Sequence, residues 1–271
     1  MVATRRLGMV GLGQMGLPIV QRLLAEDHPV TFYARRPEVS SELVASGAVD
    51  GRSLAGVATN SDVVIICVYD DDDVKEVCLG AEGVIANMNP GSVLVNHTTG
   101  DPATARLLSR HARVRRVHFL DAALSGSPAD IADAKLTLLV GGREAVLRRT
   151  QPVLGCYANP VILVGRIGDG QWMKLVNNAL LAANLSMVRE AERALSALGL
   201  PLETALEALT HCSGDSRALR IAAQMGSSEK LLEQAGRFIE KDIGTIRDVA
   251  KARRVNLGLL GMAASSLGGE T

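Results

Sequence analysis

A doubly wound α/β sheet followed by an all-helical domain is the architecture that this 271-residue sequence predicts. Three observations predict it. Short β-rich runs alternate with helical stretches up to residue 165. The first run leads directly into a glycine-rich turn and then a helix. Beyond residue 170 no strand signal remains, and Ala and Leu dominate.

The β-rich runs are "LGMVGLG" (7–13), "VTFYAR" (30–35), "DVVIICV" (62–68), "SVLVNHT" (92–98), "RVHFLDA" (116–122), "LTLLVGG" (136–142) and "PVILVG" (160–165). Several are apolar without alternation, as strands covered on both faces are. Helices fit between them, for example over 14–26 and 101–113. Such alternation argues for a parallel sheet with helices on both sides. "QWMKLVNNALLAANLSMVREAERALSALG" then reads as one helix of about 28 residues, closed by Gly199 and Pro201. Further helices are expected near 201–211, 215–225, 229–234, 236–253 and 256–266. The Gly-rich "GRIGDG" marks the boundary, giving a domain over 1–165 and a helical one over 166–271.

Composition narrows the function. The 29 basic and 29 acidic residues cancel, so there is no electrostatic case for a nucleic-acid or membrane-surface partner. Aromatic residues are only 3%, which removes the stacking platforms that single-stranded nucleic acids need. Cys67, Cys78, Cys156 and Cys212 are scattered, with no CxxC pair and no His at metal-ligand spacing, so reduced thiols and no metal site are expected. No apolar run approaches the length of a membrane span, and the charged start lacks a signal-peptide cleavage pattern. The expectation is a soluble cytoplasmic protein.

The turn "GLGQMG" places Gly11, Gly13 and Gly16 in a GxGxxG after a strand and at the start of a helix. That context makes it a dinucleotide-binding, Rossmann-like fingerprint. Gly11 permits the tight turn, Gly13 lets the backbone approach a pyrophosphate, and Gly16 lets helix and strand pack closely. Leu12, Gln14 and Met15 complete the loop. The helix N-terminus offers N–H groups to phosphate. An acidic residue at the end of the second strand would bind the ribose 2′-OH of NAD. Here Ala34 stands there, followed by Arg35 and Arg36. Two guanidinium groups suit a 2′-phosphate, so NADP is expected in preference to NAD.

Three further motifs follow: "DAALSGSPADIADAKLTLLVGG" (121–142), "GRIGDGQWMKLVNN" (165–178) and "KDIGTIRDVA" (241–250). Together with "GLGQMGLP", in this order and spacing, they resemble the β-hydroxyacid dehydrogenase family, which includes 3-hydroxyisobutyrate dehydrogenases, tartronate semialdehyde reductases and short-chain semialdehyde reductases. The resemblance covers nearly the whole chain. It implies that Ser125, Gly126 and Ser127 form the substrate loop and that Lys174 is the acid/base, with Asn178 beside it. It implies that Val68, Tyr69, Thr98, Thr99 and Lys241 lie near the cofactor. It also implies a small anionic hydroxyacid or semialdehyde as substrate. Relatives usually continue through one more helix, so the C-terminal domain is expected to be either a natural short form or a truncated one.

The chemistry of the residues supports the same roles. Lys174 and Asn178 are four apart and share one helix face. Oxidation of a hydroxy acid sends a hydride to a nicotinamide and a proton to a base. A lysine beside an apolar ring has its charged form disfavoured by desolvation, which suits it to that proton transfer. Several positions depart from the family pattern: Asn96 for Asp, Tyr69 for Pro, Ala123 for Pro, Ser127 for Gly, and Ala134-Lys135 for Gly-Thr. They bear on the substrate more than on the reaction. The "DDDD" at 70–73 reads as a solvated helix start. His97 has two readings, an approach to the cofactor or a loop hydrogen bond. The long apolar helix from 171 suggests packing against a second copy, hence a homodimer or homotetramer. The expected function is NADP-dependent interconversion of a β-hydroxyacid and its semialdehyde. The alternatives are a non-catalytic NADP-binding protein and an imine reductase. Retention of both Ser125 and Lys174 speaks against the first, and Lys174 against the second.

Overall fold

The computed structural model describes residues 5–267. Its chain divides into two compact units, Met1–Lys174 and Leu175–Thr271. The expected boundary at 165/166 lies nine residues earlier, before the long helix rather than inside it.

The first unit contains β1 (Leu7–Val10), α1 (Gly16–Ala25), β2 (Val30–Tyr33), α2 (Pro37–Ala45), β3 (Val49–Asp50), α3 (Leu54–Thr59), β4 (Val63–Ile66), α4 (Asp71–Cys78), α5 (Val84–Asn87), β5 (Val93–Asn96), α6 (Pro102–Val114), β6 (His118–Ser125), α7 (Pro128–Ala132), β7 (Leu136–Gly142), α8 (Glu144–Leu154), β8 (Ala158–Gly165) and the opening of α9 (Asp169–Ala197). The sheet order is β3-β2-β1-β4-β5-β6-β7-β8. The order reverses at β1, between β2 and β4, so the crevice at their C-terminal ends is the switch point where open α/β sheets bind ligands.

The unbroken apolar runs of the sequence have a direct explanation here. Successive strand residues point to opposite faces. Leu7, Met9, Val63, Ile65, Val93 and Val95 pack into one core with α1 and α8. Val10, Val64, Ile66 and Leu94 pack into the other with α3 to α6. Each fully buried aliphatic side chain contributes about 1.5–3 kcal/mol, and both faces of β1, β4 and β5 are lined by aliphatic residues up to Val10, Ile66 and Val95.

Two features correct the strand reading. The two-residue β3 lies between expected strands and is too short to leave a periodic signal. The second is β7, which pairs antiparallel with β6 while all other pairs are parallel. A parallel return needs a crossover of a dozen or more residues. Only residues 126–135 separate the two strands, with the five-residue α7 inside them, so the chain must turn back on itself.

His97, just beyond β5, adopts the loop hydrogen bond. It is 2% exposed; its Nδ1–H donates to the Ala122 carbonyl (2.5 Å), and its Nε2 accepts from the Tyr157 hydroxyl (2.9 Å). Burial pushes its pKa down to about 4, which keeps the ring neutral, as this pair of bonds requires. Tyr157→Phe would leave Nε2 without its donor inside the core. It is expected to cost about 1–3 kcal/mol, read as a lower urea midpoint at unchanged m-value; an unmoved midpoint would mean that the bond contributes nothing.

The second unit holds the rest of α9, then α10 (Leu202–Thr210), α11 (Arg217–Met225), α12 (Ser228–Arg253) and α13 (Gly258–Ser265). Leu175, Ala179, Ala182 and Leu185 form one stripe of α9 and pack with Leu206, Leu219, Ile239, Ile243 and Ile246. The two helices expected over 229–234 and 236–253 are one, because α12 runs through Gly236 without a break. Glycine inside a helix costs only about 1 kcal/mol against alanine, too little to end a helix whose buried face continues beyond it.

Candidate active site

The loops that follow β1, β4, β5 and β6 carry most of the expected site residues of the first unit. After β1, Gly11 adopts φ +95°, and a Cβ there would sit 2.1 Å from the Cys67 carbonyl oxygen. A Cβ on Gly16 would sit 1.9 Å from the Gly11 carbonyl oxygen. Gly13 has no atom within 4 Å of its would-be Cβ, so its backbone faces open space. No side chain caps α1, but its Leu17 N–H already donates to the Gly13 carbonyl (3.1 Å) and Pro18 carries no N–H, so the glycine loop rather than the helix end forms the open surface. This cradle fits a dinucleotide pyrophosphate. Leu12 is buried, Gln14 is exposed and Met15 is half-buried. Arg35 and Arg36 are exposed beyond β2, and the Arg36 guanidinium donates to the Leu12 carbonyl (3.2 Å), folding it towards the glycine loop.

After β4, the Val68 backbone N–H donates to Thr98 Oγ1 (3.0 Å), while Tyr69 is exposed. Asp70 caps α4 by accepting from the N–H groups of Asp72 and Asp73 at 3.0 Å each, as an acidic run at a helix start should. Asn96 Oδ1 accepts from Thr98 N–H (3.2 Å) and Asn96 Nδ2 donates to the Thr98 carbonyl (3.4 Å). A carboxylate could accept but not donate, so the departure from the family's Asp is put to use within the loop. Thr98 is buried and Thr99 half-buried.

After β6, Ser125 is half-buried and Gly126 takes φ +144°. Ser127 is the N-cap of α7. Its N–H and hydroxyl both donate to Asp130 Oδ2, at 2.6 and 2.7 Å, and its Oγ accepts from Asp130 N–H at 3.3 Å. The hydroxyl that the family resemblance would put next to substrate is thus committed to a capping box.

Two residues without an assigned role in the sequence reading organise the start of α9. Asp121 is fully buried and accepts from the N–H groups of Gly168 and Gln171, both at 3.1 Å. Burial pushes its carboxyl up to about 7, against the two N–H groups that hold it down. Gln171 is 1% exposed; its Nε2 donates to the Thr98 carbonyl and its Oε1 accepts from Gly100 N–H, both at 3.0 Å. Lys174 follows one turn later and is half-buried.

In the second unit, buried Asn178 donates from Nδ2 to Asp242 Oδ2 and accepts on Oδ1 from Asn177 Nδ2 (3.1 Å). Lys241 forms an ion pair with Asp242 (3.0 Å). The family resemblance implies that Lys241 lies near the cofactor; within this unit its ammonium meets the carboxylate that bonds Asn178. The motif at 241–250 includes Asp242, but nothing in the sequence assigned it the part of joining Lys241 to Asn178.

Residues 6–165 match the family described as the NAD-binding domain of 6-phosphogluconate dehydrogenase. Residues 168–267 match that described as NAD-binding of NADP-dependent 3-hydroxyisobutyrate dehydrogenase. The chain belongs to the 3-hydroxyisobutyrate dehydrogenase-like β-hydroxyacid dehydrogenase family. It is an NAD(P)-binding oxidoreductase of that family, with its Rossmann-like sheet followed by a helical domain. It is 33% identical to mitochondrial 3-hydroxyisobutyrate dehydrogenase of Rattus norvegicus, over 71% of this chain and 57% of the rat protein. A Mycobacterium tuberculosis 3-hydroxyisobutyrate dehydrogenase solved with L-serine superposes with a TM-score of 0.86 at 26% identity, covering 98% of this chain and 93% of that one. An imine reductase from Myxococcus stipitatus in complex with NADP+ shares the fold, at a TM-score of 0.61 and 22% identity over 97% of this chain and 93% of that one. Among the described residues no helix is long and apolar enough to cross a membrane, and no group of His, Cys, Asp or Glu is placed to hold a metal.

Proposed function

We propose that the protein interconverts a small β-hydroxyacid and its semialdehyde with NADP as cofactor. Bound NADPH would supply the hydride to the carbonyl carbon. Lys174 delivers a proton to the oxygen as it becomes a hydroxyl, and takes that proton back in the oxidative direction. Asn178 orients the amine and the substrate hydroxyl, and Ser125 with the Gly126 backbone holds the carboxylate. The observation that carries this reading is the tie between the turn preceding Lys174 and the loop at residues 98–100, which leaves the same C-terminal end of the parallel strands as the glycine loop.

NADP preference is supported by two exposed guanidinium groups beyond β2, where no carboxylate stands, one of them anchored to the glycine loop. Arg35→Ala with Arg36→Ala is expected to narrow the NADPH-over-NADH ratio of kcat/KM by about 10- to 100-fold, the worth of one or two charge-assisted hydrogen bonds. An unaltered ratio would move phosphate recognition elsewhere. Val176, Leu180 and Met187 form an exposed apolar line on α9, which supports self-association; a monomer in sedimentation equilibrium would remove that part of the reading.

The direct test follows NADPH oxidation against methylmalonate, succinate and tartronate semialdehydes, with a cyclic imine alongside. Turnover with one of the semialdehydes would establish the reaction and the substrate class. Turnover only with cyclic imines would replace the reading by imine reduction, and silence with NADPH still bound would favour a binding role.

A further inference from the structure

We propose that Gln171 is a positioning residue that locks the cofactor-side loop after β5 to the helix turn carrying Lys174, with Asp121 anchoring that turn to the sheet. The inference rests on the role of Lys174 proposed above and goes beyond it.

The geometry forms one continuous chain. Val68 N–H binds the Thr98 hydroxyl, the Thr98 carbonyl binds Gln171 Nε2, and Gln171 Oε1 binds Gly100 N–H. Gln171 N–H binds one Asp121 oxygen and Gly168 N–H binds the other. The carboxamide therefore grips the loop from both sides, and the carboxylate grips the helix start from both sides. The turn has no room to slide. A Cβ on Gly170 would lie 2.6 Å from the Leu139 carbonyl oxygen, and one on Gly141 would lie 2.3 Å from Asp121 Oδ1. Both side chains are buried, so neither is a solvated helix residue.

A buried glutamine must have partners merely to be tolerated. What singles this one out is which partners it has. Its two bonds reach 73 and 71 residues back, to the loop after β5, and it sits three residues before Lys174. Hydride and proton transfer both require their donors to be held relative to one substrate carbon and its oxygen. A misplacement of about 1 Å from a group remote from the chemistry can lower the rate about 100-fold. A glutamine that holds the loop and the lysine turn at a fixed separation controls that distance without touching the reactants.

The test uses Gln171→Leu and Gln171→Glu in the full chain, with Lys174→Ala alongside. The rate is read with NADPH and the fastest of the three semialdehydes named above. In Gln171→Leu, kcat is expected to fall about 100-fold while the Kd for NADPH changes by less than about fivefold. The primary deuterium isotope effect should rise as hydride transfer becomes limiting. Without cofactor, amide exchange at Gly100 should accelerate, because its acceptor is gone. Gln171→Glu keeps the acceptor for Gly100 but faces the Thr98 carbonyl with a carboxylate oxygen. Its kcat should recover as pH falls and the carboxyl regains a proton to donate. Faster exchange at Gly100 with kcat and the isotope effect unchanged would overturn the proposal. Should the leucine variant fail to fold, a pH profile of the glutamate variant parallel to that of the parent would overturn it equally. Lys174→Ala turning over like the parent would instead sink the acid/base reading on which the proposal rests, whatever the glutamine variants do.

Discussion

Lys174→Ala is expected to lose about 10²- to 10⁴-fold in kcat, the usual worth of a positioned acid/base, while binding NADPH as the parent does. The expectation follows from where the residue stands. Lys174 is half-buried, one turn beyond a helix start that Asp121 and Gln171 fix to the sheet. The bonds that Asp121 and Gln171 make to this turn and to the loop after β5 do not use the Lys174 side chain, so they should survive its removal. The expected loss is therefore one of chemistry rather than of fold. Lys174→Arg separates charge from proton transfer. Arginine keeps the cation, but its pKa above about 12 makes it a poor proton donor and acceptor near neutrality. Its kcat should stay low if the lysine moves a proton. Recovery in the arginine variant would reduce the role of Lys174 to electrostatics, and full turnover in the alanine variant would remove the role altogether.

The second large effect is a contrast between two neighbouring glycines. Gly11→Ala should destabilise the first unit by about 2–4 kcal/mol and abolish NADPH binding. Its φ of +95° is strained for any side chain, at a cost of about 1–3 kcal/mol, and its Cβ would sit 2.1 Å from a backbone oxygen that cannot swing aside. Gly13→Ala should leave stability within about 1 kcal/mol, because its Cβ would meet nothing within 4 Å. It should nevertheless weaken NADPH, since the new methyl enters the space that the pyrophosphate approaches. Thermal melts and fluorescence titration of NADPH check both. Equal losses of stability in the two variants would contradict the distinct roles assigned to them, and unchanged NADPH binding in Gly13→Ala would place the pyrophosphate elsewhere.

Much of the fold was legible in the sequence because it is written in short-range pattern. The central strands Leu7–Val10 and Val63–Ile66, and Val93, Leu94 and Val95 of the next, carry no polar side chain because both their faces are covered. The order of elements announced the doubly wound sheet, and the start of α9 two residues before the expected position is the ordinary uncertainty of a helix end. The glycine loop was legible for the same reason. A positive φ at Gly11 and a backbone without room at Gly16 are demands that the sequence must meet locally. The family resemblance singled out Lys174 because a motif of fixed spacing survives in a single chain.

By itself, then, the sequence determined the two-part architecture, the dinucleotide cradle, the pair of arginines after the second strand and the identity of the helix bearing the lysine. Tertiary structure alone decided that β7 runs against β6, that the hydroxyl of Ser127 closes a capping box, and that Asp242 orients Asn178. It alone decided that Gln171 and Asp121 hold the lysine turn. The physical reason is distance along the chain. Periodicity, caps and tight turns are settled within a few residues, so they leave a pattern that can be read in one dimension. The Asp121 and Gln171 bonds join groups 47 to 73 residues apart. A buried carboxylate or carboxamide looks the same in sequence as a solvated one, until packing removes the water and a partner from another strand takes its place.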